Sequence, residues 1–219
     1  MHRGVLFDMD GVLVDSAAAH LESWRALARQ HSINISDADF KAAFGRTSRE
    51  IIRLLWGPEL SAAEVERRDA EKEVVYRDLI RGHVPIMPGC REMLTALTSA
   101  GFRLAVATSG PPENLELVLR AADIGAFFEV TVDGRDIQRG KPAPDCFLLA
   151  AERLGLPPDA CVVVEDALVG IAAGRAAGMP VIALEGTYPA EQLHAAGAAG
   201  VVRRLAEISP ELLNSVRTC

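Results

Sequence analysis

Beyond residue 90 the chain alternates between helical patterns and short apolar segments, and this alternation limits the possible folds more than any other feature. Helices are predicted at 90–100, 112–121, 144–154 and 168–177, and Ser209-Pro210 opens a terminal helix. Strands are predicted at 103–108, 129–132, 161–164 and 180–184, with a weaker strand near Val201. Because strands joined by helices form parallel βαβ units, the pattern predicts an α/β fold with a doubly wound, Rossmann-like parallel sheet.

One more strand precedes this region and is separated from it by a long helical stretch. Gly4 to Phe7 is a short apolar run that predicts a buried strand. The predicted helices that follow cover Ala17–Gln30, Ser36–Phe44, a segment capped by Ser48, and a segment from the capping box at Ser61 and Glu64 to Ile80. We therefore expect residues 1–14 and 84–219 to form the α/β core and residues 15–83 to form an inserted all-helical cap domain.

The composition favours a globular protein in a reducing compartment. Hydrophobic residues make up 49% of the 219 residues, which is enough for a substantial core. The net charge is −7 and no Lys or Arg run exceeds a pair, so we expect no nucleic-acid or membrane partner. The four cysteines are widely spaced and form no Cys-x-x-Cys motif. We therefore expect buried free thiols in a reducing compartment. Since Asp8 comes too early for a signal peptide and no apolar stretch has membrane length, we expect a cytoplasmic protein.

Two carboxylates, Asp8 and Asp10, directly follow the first predicted strand. If the backbone stays extended, both face the same side, where they repel each other unless a cation or hydrogen-bond donors compensate. The same two aspartates would also be typical of an ordinary polar loop that caps the next helix. A calcium loop is disfavoured, because Leu13 stands at the position of its turn glycine and Ala19 at that of its closing glutamate.

Other predicted strands also end in polar residues, and parallel strands bring such ends to one edge of the sheet. Thr108-Ser109-Gly110 follows one strand and opens a helix, where hydroxyl and N–H groups can bind an anion. Lys141 lies in a proline-rich loop, and Glu165-Asp166 follows another strand. Taken singly, these are a helix cap, a solvated lysine and an N-capping aspartate. Together, four carboxylates and one ammonium group predict an oxygen-ligated Mg²⁺ that binds a phosphate group.

These motifs resemble those of the haloacid dehalogenase-like phosphatase superfamily, and the match spans essentially the whole chain. The resemblance rests on Asp8-Met-Asp10-Gly-Val, on Thr108, on Lys141 with Pro-Ala-Pro-Asp, and on Glu165-Asp166 with Gly170. It implies that Asp8 is the nucleophile that forms an aspartyl-phosphate and that Asp10 is the general acid and base. It also implies that Thr108 and Lys141 bind the transferring phosphate. The implied Mg²⁺ ligands are Asp8, the Asp10 main-chain carbonyl and Asp166, with Glu165 in support.

The helical insertion resembles the cap of the β-phosphoglucomutase-like subgroup. His20, Arg49 and Lys72 stand where that mutase has a His, an Arg and a Lys facing the sugar phosphate. Ordinary roles are open for all three: His20 as a helix-surface histidine, Arg49 as a first-turn residue, and Lys72 as a solvated charge. Arg49 is the strongest candidate, since a second, non-reacting phosphate needs a planar cationic group.

One departure from the mutase bears on the reaction. The mutase follows its second motif with a Lys and an Asn, whereas this chain has Gly110-Pro111-Pro112. We therefore expect a phosphatase that acts on a small phosphorylated sugar or related metabolite, as a monomer or a weak homo-oligomer. A β-phosphoglucomutase-type mutase is the alternative. A non-enzymatic phospho-acceptor or metal-binding regulatory domain is a third hypothesis.

Overall fold

The structure is a computed structural model that describes residues 4–36, 38–39, 43 and 46–216. Its strands are β1 (Gly4–Phe7), β2 (Arg103–Ala107), β3 (Val130–Val132), β4 (Cys161–Glu165), β5 (Val181–Leu184) and β6 (Gly200–Val202). Its helices are α1 (Ala17–Gln30), α2 (Ser48–Trp56), α3 (Ala62–Ile80), α4 (Cys90–Ser99), α5 (Pro112–Ala121), α6 (Asp145–Arg153), α7 (Leu168–Ala176), α8 (Ala190–Ala195) and α9 (Pro210–Ser215). Across these ranges, every helix is too short or too polar to cross a membrane. The helix predicted at Ser36–Phe44 falls largely outside the described residues.

All six strands belong to one parallel sheet with the order β3-β2-β1-β4-β5-β6. The first strand is central, with β2 on one side and β4 on the other. The chain order therefore reverses at β1, and such a reversal opens a crevice at the carboxyl ends of the strands. The prediction of a doubly wound α/β fold with a helical insertion is confirmed.

Both faces of the sheet are covered by helices, as the alternation of side chains along the strands requires. Leu6 and Val163 face a cluster that includes Phe147 of α6 and Ile171 of α7. The neighbouring residues Val5, Phe7 and Val162 face the other side, with Leu94 of α4, Val118 of α5 and Leu213 of α9. The helix α8 was not predicted from the sequence.

The inserted helices α1, α2 and α3 pack on one another through side chains that include Trp24, Leu27, Ile52 and Val65. A capping box begins α3 at Ser61 and Glu64, as predicted. The cap of α2 is Thr47 rather than the predicted Ser48, because the Thr47 hydroxyl accepts the Glu50 N–H and the Glu50 carboxylate accepts the Thr47 N–H.

Two chain segments connect these helices to the sheet, and they run side by side. The Asp15 N–H donates to the Pro85 carbonyl at 2.8 Å, and the Met87 N–H donates to the Leu13 carbonyl at 2.9 Å. The inserted helices are thus attached to the sheet through two hydrogen-bonded chain segments close to the end of β1.

Candidate active site

Lys141 joins two of the carboxylates that follow the central strands. Its Nζ lies 2.6 Å from Asp8 Oδ1 and 2.7 Å from Glu165 Oε1. Asp8 directly follows β1, and Glu165 ends β4, the neighbouring strand. Lys141 is only 1% exposed, so the alternative of a solvated lysine is wrong. A buried ammonium group here is stabilised by the two carboxylates that it bridges.

Glu165 and Asp166 have different surroundings although they are adjacent. Glu165 Oε2 accepts the backbone N–H groups of Asp166 and Ala167, each at 2.7 Å. Asp166 Oδ2 accepts a hydrogen bond from Thr187, whereas Asp166 Oδ1 is buried and has no hydrogen-bond partner within the part of the chain that the structure describes. The alternative that Asp166 caps a helix is wrong, because Ala167 is the N-cap of α7 and no side chain caps it.

The side chains of Asp8, Glu165 and Asp166 form a group that fits a metal ion. One oxygen atom from each lies within 4.8 Å of the others, and all three residues are buried. A buried carboxylate oxygen without a partner, such as Asp166 Oδ1, is the kind of atom that a cation satisfies. Gly11 leaves the space open, since a Cβ there would lie 2.0 Å from Asp166 Oδ2. Carboxylate oxygens without His or Cys suit a hard cation such as Mg²⁺.

The acid–base properties of this group reflect its burial. Burial raises the pKa of Asp8 from 3.8 to about 7, although the Lys141 charge works in the opposite direction. Burial, together with the charges of Glu165 and Asp8, also raises the pKa of Asp166 well above its ordinary value. The pKa of Lys141 is raised despite its burial, because Asp8 and Glu165 stabilise its charged form. Added positive charge would favour ionisation of both aspartates.

Asp10 lies beside this group, but its side chain points to the inserted helices. Its Oδ1 lies 2.6 Å from Ser16 Oγ, 3.0 Å from His20 Nε2 and 3.2 Å from the Tyr76 hydroxyl. Burial alone would raise the pKa of Asp10, but His20 and Ser16 outweigh it and hold the pKa at about 2. The Asp10 carboxylate therefore does not join the other three carboxylates. Only the main-chain carbonyl of Asp10 is left as a metal ligand, as the resemblance implies.

His20 is held by Lys72 of α3. Lys72 Nζ lies 2.8 Å from His20 Nδ1 and 2.9 Å from Glu73 Oε1. An ammonium group can only donate, so Nδ1 accepts and the ring proton sits on Nε2, facing Asp10. His20 is 9% exposed and Lys72 is 1% exposed, so the alternatives of a surface histidine and a solvated lysine are wrong.

The remaining predicted residues lie at two different places. Thr108 is buried at the end of β2, and its Oγ1 accepts the Gly110 N–H at 3.0 Å. Thr108, Ser109 and Gly110 all border the same small cavity as Asp8 and Asp10. Arg49 is not at that cavity; its side chain is 60% exposed, and its Nε lies 3.5 Å from Asp69 Oδ2.

Two adjoining cavities lie between the inserted helices and the sheet. The smaller has a volume of about 50 Å³ and contains the Asp8, Asp10, His20, Lys72 and Thr108 side chains in its wall. The larger has a volume of about 540 Å³ and is bordered by α2, α3 and loops of the core. Ser48, Glu73 and Ser109 line both, so that the two spaces are neighbours.

Sequence reasoning did not find several polar residues around this site. Glu73 is 4% exposed and accepts hydrogen bonds from Ser48 and from Asn114 of α5. Tyr76 stacks on His20 with ring centroids 4.0 Å apart. Tyr76 follows Lys72 by one helical turn, a spacing that could have suggested it. Asn114 and Thr187 carried no comparable signal, because their partners are distant in sequence.

Comparison with known proteins agrees with this geometry. A family model of haloacid dehalogenase-like hydrolases matches residues 2–178. Hexitol phosphatase A from Escherichia coli is 35% identical over 182 residues, covering 83% of this chain and 82% of that protein. A β-phosphoglucomutase from Bacillus subtilis is 32% identical, covering 97% and 94%. The crystal structure of β-phosphoglucomutase from Clostridium difficile matches with a TM-score of 0.87 at 27% identity, covering 98% and 96%. The predicted family is confirmed: the chain belongs to the haloacid dehalogenase-like hydrolases, in their β-phosphoglucomutase-like subgroup.

Proposed function

We propose that the protein is a Mg²⁺-dependent phosphatase that hydrolyses a small phosphorylated sugar or related metabolite. The observation that carries the proposal is the buried contact of Asp8 with Lys141 beside the carboxylates of Glu165 and Asp166. A nucleophilic carboxylate, a fixed cation and a fitting metal site are what phosphoryl transfer requires. The relatives named above include a hexitol phosphatase, which agrees with this substrate class.

In this proposal the first step forms a bond between an Asp8 oxygen and phosphorus. The bond from phosphorus to the leaving oxygen breaks, and Asp10, which must first take up a proton from solvent because His20 and Ser16 hold its pKa at about 2, donates that proton to the leaving oxygen. Asp10 next removes a proton from water, whose oxygen attacks the phosphorus and releases phosphate from Asp8. Lys141 and Thr108 hold the transferring group throughout. Mg²⁺ bound by Asp8, Asp166 and the Asp10 carbonyl, with Glu165 in support, would supply additional charge neutralisation.

A phosphatase is favoured over a mutase by the residues after Thr108. A mutase must hold a bisphosphate at both ends, which needs donors or cations for the second phosphate. Pro111 and Pro112 have no N–H group, and the Gly110 N–H donates to Thr108 Oγ1. The mutase remains the second candidate, since the His20–Lys72 contact and the similarity to β-phosphoglucomutases favour it.

The proposal includes a cap that closes over the site. Residues 15–83 would form this cap, and residues 1–14 and 84–219 the core, with bending near Asp15–Ser16 and His83–Pro88. Close contact supports a closed arrangement, because a Cβ at Gly140 of the core would lie 2.6 Å from Glu50 Oε2 of α2.

Asp8 is only 5% exposed, which disfavours a regulatory domain that must offer its aspartate to a protein partner. Cys90, Cys146 and Cys161 are buried free thiols, which suits the cytoplasm.

The decisive experiment is a phosphate-release screen over sugar and polyol phosphates with Mg²⁺ present. It includes β-glucose 1-phosphate and monitors glucose 6-phosphate. We expect phosphate release that stops with a chelator and in Asp8→Asn. Isomer formation without net phosphate release would instead support the mutase. Long-lived phosphorylation of Asp8 without turnover would support the regulatory domain, and either result would contradict the phosphatase.

A further inference from the structure

The two cavities differ so much in size that they must hold different parts of a substrate. A volume of about 50 Å³ beside Asp8 and Lys72 has room for only a few water molecules, at roughly 10–15 Å³ each, so it accommodates a phosphoryl group but no sugar ring. The neighbouring volume of about 540 Å³ is within the range of small-molecule sites. The leaving group must therefore extend past Ser48, Glu73 and Ser109 into the larger cavity.

The larger cavity has an excess of negative charge. Among the residues that the structure describes, its wall carries five carboxylates against three guanidinium groups: Glu50, Glu66, Asp69, Glu73 and Glu113 against Arg49, Arg77 and Arg135. Each guanidinium group already has a partner. Arg135 lies 2.6 Å from Glu113, and Arg77 donates to Asn114 at 3.0 Å.

The third of these groups, Arg49, is paired with Asp69. Arg49 Nε lies 3.5 Å from Asp69 Oδ2, and Asp69 is one helical turn from Glu73 on α3. Burial and the charge of Glu73 raise the pKa of Asp69, which reflects the negative surroundings. The guanidinium group that is expected to bind a second phosphate is therefore already paired with a carboxylate, and further carboxylates line the same cavity. A second anionic group placed here would meet like charge.

We propose that Asp69 is a specificity-determining residue that excludes a second phosphate, so that the substrate is a phosphomonoester whose far end carries hydrogen-bond donors. Hydroxyl or ammonium groups both supply such donors to the carboxylates of Asp69 and Glu66. This inference rests on the proposed phosphatase function and adds the class of leaving group to it.

The test compares ligands that share one scaffold: glucose 6-phosphate, glucosamine 6-phosphate and glucose 1,6-bisphosphate. Dissociation constants are measured by calorimetry with Mg²⁺ in the full-length Asp8→Asn protein, so that no ligand is consumed. We expect the bisphosphate to bind about tenfold more weakly than the monophosphates, because of its charge. Adding Asp69→Asn should remove most of this difference by freeing Arg49.

Glu71→Gln provides the matched control. It makes the same change of charge on α3, but Glu71 pairs with Arg67 and is not part of the cavity wall. We expect it to leave the ratio of dissociation constants unchanged. Tighter binding of glucosamine 6-phosphate would identify ammonium as the preferred donor, and equal binding would identify hydroxyl.

Three results would overturn the inference. They are bisphosphate binding as tight as monophosphate binding in the parent protein, an equal effect of Glu71→Gln and Asp69→Asn, and no binding of either monophosphate. Phosphate release from monophosphates by the wild-type protein is measured separately. Its absence would reject the proposed phosphatase, whereas the binding ratio tests the role of Asp69 whether or not turnover occurs.

Discussion

Asn114 of α5 donates a hydrogen bond of 2.7 Å to Glu73 of α3, and both side chains are buried. The same amide accepts from Arg77 at 3.0 Å, so one core residue binds two residues of the inserted helices. Hydrogen bonds to buried charged groups contribute more to stability than bonds between neutral groups. This contact therefore links the inserted helices to the core at the edge of both cavities.

Replacing Asn114 by Asp should weaken closure of the inserted helices. The new carboxylate would face Glu73 and repel it, while the contact with Arg77 would be kept. We expect kcat/KM for the best substrate of the screen to fall about tenfold, the equivalent of ~1.4 kcal/mol. Circular dichroism should show that the fold is retained. An unchanged kcat/KM would mean that this contact does not control closure.

Lys72 should matter through His20. Without the ammonium group, His20 Nδ1 can carry the proton, and the donor toward Asp10 is lost. We expect Lys72→Met to lower kcat by about 100-fold, the lower part of the range for impaired acid–base catalysis. Arg67→Met, on an exposed part of the same helix, is the control and should retain wild-type kcat. Equal activity of the two variants would reject the assigned tautomer.

Gly170 has a direct effect on Glu165. A Cβ at this position would lie 1.6 Å from Glu165 Oε1, so Gly170→Ala must displace the carboxylate. Changes in groups that support a metal site lower metal affinity by about 10–100-fold, and we expect a shift of this size in a Mg²⁺ titration of activity. Gly125→Ala makes only an ordinary contact of 3.7 Å with Leu119 and serves as the control. If both variants require the same Mg²⁺ concentration, Glu165 does not support the metal.

The metal-free protein should lose stability through Asp8 as the pH rises. The pKa of Asp8 is 3.8 when unfolded and about 7 when folded, so between these values the folded state binds more protons. The free energy of unfolding then decreases with pH across this window and levels off above it. Asp8→Asn removes this contribution, so its melting temperature relative to wild type should rise from pH 4 to pH 7.

Calorimetry with a chelator present measures this difference. Mg²⁺ should stabilise the wild-type protein more at pH 8 than at pH 5, because it favours the ionised carboxylates. A melting-temperature difference between the two proteins that does not vary with pH would contradict the raised pKa of Asp8.

The sequence by itself determined the sheet, the inserted helices and the strand ends at which the polar residues lie. These features are local: an apolar run that stops at Asp8 or Glu165, and a capping box at Ser61, depend on neighbouring residues only. The tertiary structure alone decided which charged side chains are buried. Lys72 stands between Glu71 and Glu73 in the sequence and looks solvated, yet packing of α3 on α1 buries it against His20.

The partners of Asn114 and Thr187 could likewise not be predicted from sequence patterns. Asn114 meets Glu73 across 41 residues, and Thr187 meets Asp166 across 21. A hydrogen bond of this kind produces no periodic pattern in the sequence, because it depends on how separate helices and strands pack. Arg49 shows the same limit: its sequence position suggests a free cation, and only the folded chain brings Asp69 beside it. Local sequence thus determined the chemistry of the strand ends, and tertiary packing decided the environment in which that chemistry acts.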